Sequence, residues 1–565
     1  MKKVKAFLFI IPAVVLLLLG KLWVENADYS IQKTESVKLD GGKWSLLVAK
    51  SVNERKISVE SSGRAVTRVT GAFVTSGLDI MVPAEYANDV FDCCAYQMES
   101  TYTENGQTRP MNIIHLERGN AMAEFSSMDD STAMLDNEDG TFVSVAAACS
   151  ALNLEYTFDT KNNKLIILPK DMREDPIPAR YDLRDWNRAP EVRNQGTLGT
   201  CWAFAALSCV ESVLLPREQL RLSIDHLTGN NSFNYDLNRG GAYTMGMAYL
   251  LGWQGPVYEK DDPYADGKTD STLPPVKHVQ EIKFIKEKDY EEIKRSVYKY
   301  GAVETNIYNS MANAYEGSVN YNGKAHAYIY TGGADPNHEI IIVGWDDNYP
   351  KENFTFEPEG NGAFICQNSW GTAFGEDGYF YVSYYDTNIG KYNLVYTSVE
   401  PTDNYDDIYQ SDLCGWVGQI GTGNEETCAM NVFTARKDSD LDAIGFYATA
   451  KGCQYKLYVI HNFKGADSVD LANIEPVEEG SLDLEGYYTI PINKERLRSG
   501  ERFAIALDLV APGADYPIAV EHSGTDLTRD AVIHDGEGYI SIKGKFWSNT
   551  EGMYNCNVCL KGYTK

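Results

Sequence analysis

Basic residues are what this chain is short of: 51 Lys and Arg stand against 80 Asp and Glu, a formal net charge of −29 over 565 residues. That balance excludes a nucleic acid held through its phosphates and a broad basic face for a membrane surface. Histidine is also scarce, at eight residues, and His115 stands alone in the first third of the chain. Cys556-x-x-Cys559 has no second such pair to complete a zinc site. No metal and no organic cofactor is therefore expected. The eleven cysteines are an odd count in a large chain, which does not describe a small disulfide scaffold. Buried thiols with one or two bridges are expected, and the adjacent Cys93 and Cys94 should point to opposite faces of a strand.

Long apolar runs are missing too, with one exception. Lys2, Lys3 and Lys5 precede an apolar stretch over 6–19, the pattern of an export signal, either removed or retained as a single N-terminal membrane anchor over 1–28. Nothing after residue 28 could span, so the rest is expected outside the cytoplasm, secreted or at the cell surface. With 43% hydrophobic residues, 37 Tyr and 47 Gly, that remainder is a folded, multidomain protein.

Residues 29–170 hold a degenerate repeat, since 79–92 aligns with 141–153 without gaps. Each copy reads as a short extended run, a helix and a following strand, and 156–168 reads as a hairpin turning at Asn162-Asn163. The pattern resembles the copper amine oxidase N-terminal-like domain of bacterial surface proteins, although no histidine cluster accompanies it. Residues 171–178, with Pro176 and Pro178, read as a linker to a central domain at 177–400. The segment 405–565 alternates like short strands between Gly and Asp turns, which suggests a β-sandwich or jelly roll. It resembles the lectin-like domain that follows some bacterial papain-type peptidases. A cell-wall or host glycan is the partner that resemblance implies, with Trp416 and Trp547 as aromatics able to stack on sugar rings.

The central domain carries the chemistry. In Gln195-Gly-Thr-Leu-Gly-Thr-Cys201-Trp202 a glutamine amide stands six residues ahead of a cysteine, and the cysteine opens an apolar stretch ended by Pro216. A helix starting at Cys201 would favour the thiolate through its free amides and dipole. His338 heads the buried strand pattern 339–345, which would hold an imidazole rigidly. His326 is the second choice for that role, and His226 reads as a residue on a helix surface. Asn368, at the end of another strand, could orient the imidazole, and Trp370 could screen that bond. A thiol, a base, an orienting amide and an oxyanion donor at Gln195 together make an acyl-transfer site.

These residues closely resemble the papain family of cysteine peptidases. The resemblance implies that Cys201 is the nucleophile, His338 the base, Asn368 the orienting amide and Gln195 the oxyanion donor. It also implies that Gly240 and Gly241 pair with substrate backbone and that Asn337 lines the specificity pocket. The implied fold is α+β: a two-lobed papain-like domain, preceded by a small α/β repeat module and followed by an all-β domain. Three features depart from the pattern. Leu198 stands where a disulfide cysteine is common, residues 346–360 form an insertion expected to shape one cleft rim, and no helical inhibitory propeptide is recognisable upstream. The function expected is an extracytoplasmic cysteine endopeptidase acting on a peptide or protein. The same features leave two alternatives open, a surface adhesin with an inactive peptidase lobe and a peptidoglycan peptidase.

Overall fold

The computed structural model describes residues 57–565 apart from 63, 67–68, 70, 75–78, 105–106, 129–132, 138–139, 160–163, 172–176, 237–239, 312–316 and 535. Ahead of them it describes only two short strands, Ser36–Val37 and Leu46–Leu47. The charged-then-apolar segment at 1–28 and the Asn162-Asn163 turn lie outside the described residues.

The repeat forms the centre of the first domain. The leading strands of the two copies, Ile80–Pro83 and Gly140–Ser144, pair antiparallel with Val82 opposite Val143. The second copy continues into the helix Val145–Ala151, capped by the Ser144 hydroxyl on the Ala147 N–H at 3.0 Å. The first copy makes a 3-10 turn, Ala84–Tyr86, before the short helix Ala87–Val90. The two strands that follow the helices, Cys94–Glu104 and Leu154–Asp159, lie in separate sheets. Val82, Phe91, Val143, Val145 and Leu152 fill the common core.

The central domain has a helical half and a sheet half. The helix Cys201–Leu214 is buried along almost its whole length. Helix Tyr243–Leu251 packs beside it, and Gly246 permits the approach, since a Cβ there would come within 2.9 Å of Ala206. The sheet half runs in the order Tyr379–Ser383, Ala363–Gln367, His338–Asp346, Val303–Ile307, Asn393–Glu400, His278–Ile285.

The sheet does not stop at the end of that domain. Strand His278–Ile285 pairs with Gly486–Leu497 of the C-terminal segment, with Ile282 opposite Tyr487 and Lys283 opposite Gly486. A side chain at Gly486, at φ +149°, would sit 2.2 Å from the Ile282 carbonyl oxygen, so the seam requires glycine there. Ser439–Ala448 and Leu560–Thr564 extend the same sheet. A second, six-stranded sheet centred on Arg502–Val510 packs over them, which makes the C-terminal segment a β-sandwich.

Three domains meet at one cavity of about 340 Å³, lined among others by Asp89, Asp92, Lys283, Lys299 and Tyr488. Lys299 Nζ lies 3.0 Å from Asp92, Arg295 lies 3.3 Å from Asp92, and Lys283 lies 3.9 Å from Asp89. Arg188 closes the junction from the buried side. Its guanidinium donates to the Cys94 sulfur and the Tyr181 hydroxyl, each at 3.1 Å, and to the carbonyls of Tyr298 and Lys299.

No disulfide forms: all eleven cysteines are free, which corrects the expectation of one or two bridges. Neighbouring cysteines are sent into different cores. Cys93 packs in the N-terminal core and Cys94 against the peptidase core, and Cys556 and Cys559 likewise divide between two cores. They act as small buried apolar groups. Trp416 and Trp547 also serve packing. Trp416 meets Phe284 and Tyr447 ring to ring, and the Trp547 indole donates to the Val469 carbonyl at 3.1 Å.

Candidate active site

Cys201 occupies the first turn of its helix, and Thr200 at the N-cap position makes no side-chain cap. The helix amides therefore stay available to the sulfur. Backbone hydrogen bonds from Glu339, Trp202 and Cys201 itself favour the thiolate. The first of these places the sulfur against the residue that follows His338.

His338 begins the His338–Asp346 strand and is buried. Its Nε2 lies 2.9 Å from Oδ1 of Asn368, which also accepts the Ser369 N–H at 2.8 Å. The Trp370 ring lies 5.3 Å from the imidazole, centroid to centroid. Gln195 is tied to the same stretch: its N–H donates to the Ser369 carbonyl at 2.8 Å, and its Oε1 accepts the Ser369 hydroxyl at 2.6 Å. Its Nε2 donates to the Leu198 carbonyl at 2.8 Å. An amide nitrogen carries two N–H groups, so one remains for an oxyanion.

Burial, followed by the Glu339 carboxylate, pushes the Cys201 thiol up to about 11. Burial also lowers the His338 imidazole, against the raising effect of Asn368. Both shifts oppose a lone charge on either group. Without a substrate both shifts favour the neutral thiol and the neutral imidazole.

Gly241 lies directly against the helix Cys201–Leu214, where a Cβ would sit 2.5 Å from the Trp202 ring. Gly240 adopts φ +75°. Asn238 and Arg239 lie outside the described residues. Asn337 is exposed and exchanges hydrogen bonds with Asn309, at 2.6 and 3.2 Å. His226 is not on a helix surface: it is 1% exposed, with Nδ1 2.7 Å from the Tyr249 hydroxyl and Nε2 3.1 Å from the Asp270 carbonyl. His326 occupies the turn into Ala327–Tyr328 at φ +52°. The insertion at 346–360 starts at the end of the strand opposite His338, roughly 26 Å along it. It packs through Tyr349 on Tyr381 and on the Ala325 carbonyl, so it braces the sheet rather than the cleft beside His338.

Sequence reasoning missed Glu339 and Glu304. Glu339 is read only as part of the apolar strand pattern 339–345 and Glu304 is not singled out, yet their carboxyls lie side by side. An acid immediately after the proposed base was the available signal.

Residues 177–398 match the profile of the papain family of cysteine proteases, and residues 408–564 match that of the lectin like domain. Residues 177–398 are a papain-like cysteine peptidase domain. Among solved structures the chain is similar to the clostridial cysteine protease Cwp84 after propeptide cleavage. That likeness has 28% identity and a TM-score of 0.61, and it covers 68% of this chain and 99% of the other. The cysteine protease and lectin-like domains of Cwp84, a surface layer associated protein of Clostridium difficile, align at 27% identity and a TM-score of 0.59, over 69% of this chain and 89% of that one. Among curated proteins, a viral cathepsin of Heliothis zea nuclear polyhedrosis virus is 27% identical over 238 residues, 41% of this chain and 58% of its own length. Cysteine proteinase COT44 of Brassica napus is 30% identical over 218 residues, 36% of this chain and 59% of its own length. This chain thus spans about three fifths of the length of those two relatives.

Proposed function

We propose that the protein is an extracytoplasmic cysteine endopeptidase, with Cys201 as nucleophile and His338 as its proton partner. The Cys201 sulfur attacks the scissile carbonyl and forms a tetrahedral oxyanion, which the Gln195 amide and the Cys201 N–H stabilise. The imidazolium of His338 then gives its proton to the departing amine, which leaves a thioester. The imidazole next takes a proton from water, the resulting hydroxide attacks the thioester, and the acid is released with the thiol restored. Asn368 keeps the imidazole oriented throughout, and Gly240 and Gly241 offer backbone to the substrate in strand fashion.

The observation that carries this reading is the 2.9 Å hydrogen bond from His338 to Asn368, with the Cys201 sulfur bonded by the backbone of the next residue, Glu339. The test is hydrolysis of a fluorogenic peptide library. Cleavage should be abolished by iodoacetamide and absent in Cys201→Ala. Turnover that survives in that variant refutes the assignment.

The lectin-like domain is read as a glycan-binding unit, by its family, and the repeat module as a copper amine oxidase N-terminal-like spacer. A surface location is supported by the 1–28 segment and by the likeness to Cwp84, a surface layer associated protein. A glycan array probed with the full chain checks the binding reading, and silence on every glycan removes it.

A further inference from the structure

Along the His338–Asp346 strand side chains alternate, so Glu339 faces away from His338. Its Oε1 accepts the Tyr243 N–H at 3.1 Å. That amide opens helix Tyr243–Leu251, two residues after Gly241. Glu304, on the adjacent strand Val303–Ile307, has its carboxyl beside that of Glu339 and accepts the Tyr396 hydroxyl on Oε2 at 3.2 Å. The buried oxygens Glu304 Oε1 and Glu339 Oε2 have no hydrogen-bond partner among the described residues. Two facing carboxyls need a shared proton, and burial agrees, pushing Glu339 up to about 7 and Glu304 well above its ordinary value.

A pair with one proton keeps one negative charge, and burying it without a counter-ion is costly. Among the described residues no cation is paired with it. The titratable groups facing the pair are Tyr396, Tyr243, Cys209 and Cys201, all of them acids. Tyr243 and Leu394, which neighbour the pair, also line a groove of about 660 Å³ together with Met247, Tyr392, Trp416, Lys286 and Lys391 among others. Leu394 is the residue paired with Glu304 across the sheet. The rings of Tyr243 and Tyr392 stack with centroids 6.1 Å apart, and Tyr392 is 44% exposed. Aromatic walls suit the aliphatic stem and the cationic head of a long basic side chain.

We propose that Glu339, with Glu304, binds a lysine or arginine side chain of the substrate segment that precedes the scissile bond. This rests on the peptidase reading above. A peptide pairing with Gly240 and Gly241 turns alternate side chains towards this wall, and a cation there replaces the missing counter-ion.

The test compares kcat/KM for matched peptides carrying lysine or norleucine at each position before the scissile bond. Wild type should prefer lysine by about tenfold or more at one of them, and E304Q/E339Q should erase that ratio. The ratio is read within each protein, so a general loss of activity cancels. Should the double variant not fold, wild type alone decides. Its preference should decline between about pH 8 and about pH 5 as the pair takes up its second proton. Cleavage without a basic preference, or a preference unchanged in the double variant, overturns the inference and leaves the peptidase reading intact. No cleavage together with a Cys201 inert to iodoacetamide would instead sink the peptidase reading.

Discussion

Gln195 and Ser369 grip each other twice, through the Gln195 N–H on the Ser369 carbonyl at 2.8 Å and the Ser369 hydroxyl on Gln195 Oε1 at 2.6 Å. The second bond decides which end of the glutamine amide faces its own loop, and therefore which end can meet an oxyanion. The hydrogen-bonding end of a donor is worth most when it is fixed before reaction begins.

Ser369→Ala leaves Oε1 of Gln195 without that donor and frees the amide to rotate. Steady-state kinetics should show kcat down by roughly tenfold with KM little changed, less than the roughly 10²–10³-fold loss expected for Gln195→Ala. A change confined to KM would place Ser369 in substrate binding instead.

Asn368→Ala removes the group that raises the His338 imidazole, while the lowering effect of burial remains. The imidazolium should then lose its proton at lower pH, so the alkaline limb of kcat/KM moves down the pH axis. Asn368→Gln, which can restore the acceptor, should recover part of the limb. An unmoved limb would show that Asn368 acts only in packing.

Gly241→Ala forces a methyl into the Trp202 ring, which is fully buried. Overpacking of this kind typically costs about 1–3 kcal/mol. A lowered Tm should accompany a raised KM for peptides long enough to reach Gly240 and Gly241. Wild-type stability in this variant would mean that the helix Cys201–Leu214 yields more easily than its burial implies.

The N-terminal domain should loosen in acid. Against burial, which alone would raise them, Lys283 and Lys299 hold Asp89 below the usual carboxylate range, and Lys299 and Arg295 do the same for Asp92. Because the folded values are depressed, their contribution is present above the unfolded value of about 3.9. It is lost as pH falls through about 4 towards the folded values. Hydrogen exchange across Cys94–Glu104 should rise in that window and stay level above about pH 5. Flat protection would assign the docking to Arg188 and the apolar contacts alone.

The candidate site residues were legible because the chemistry proposed for them fixes residue type and spacing: a cysteine opening an apolar run, a histidine heading a strand, an asparagine before Ser369 and Trp370. His226 misled, because the polar context of 222–226 hides a ring buried against Tyr249. Trp416 and Trp547 could be read either way, since an aromatic in a loop-rich segment is as useful to a core as to a ligand. Glu304 and Glu339 escaped notice because strand alternation says which face a residue takes and not what waits there.

By itself the sequence determined the order of the domains, the apolar helix under Cys201 and the strands that carry His338 and Asn368, all of which follow from local periodicity and residue chemistry. The tertiary structure alone decided that the peptidase sheet runs on into the C-terminal sandwich through Lys283 and Gly486, that the eleven thiols stay apart, and that two glutamates meet behind the cleft. Each of these depends on residues far apart in the chain being brought within a few ångströms, where strand pairing, desolvation and charge act over distance in space and not along the sequence.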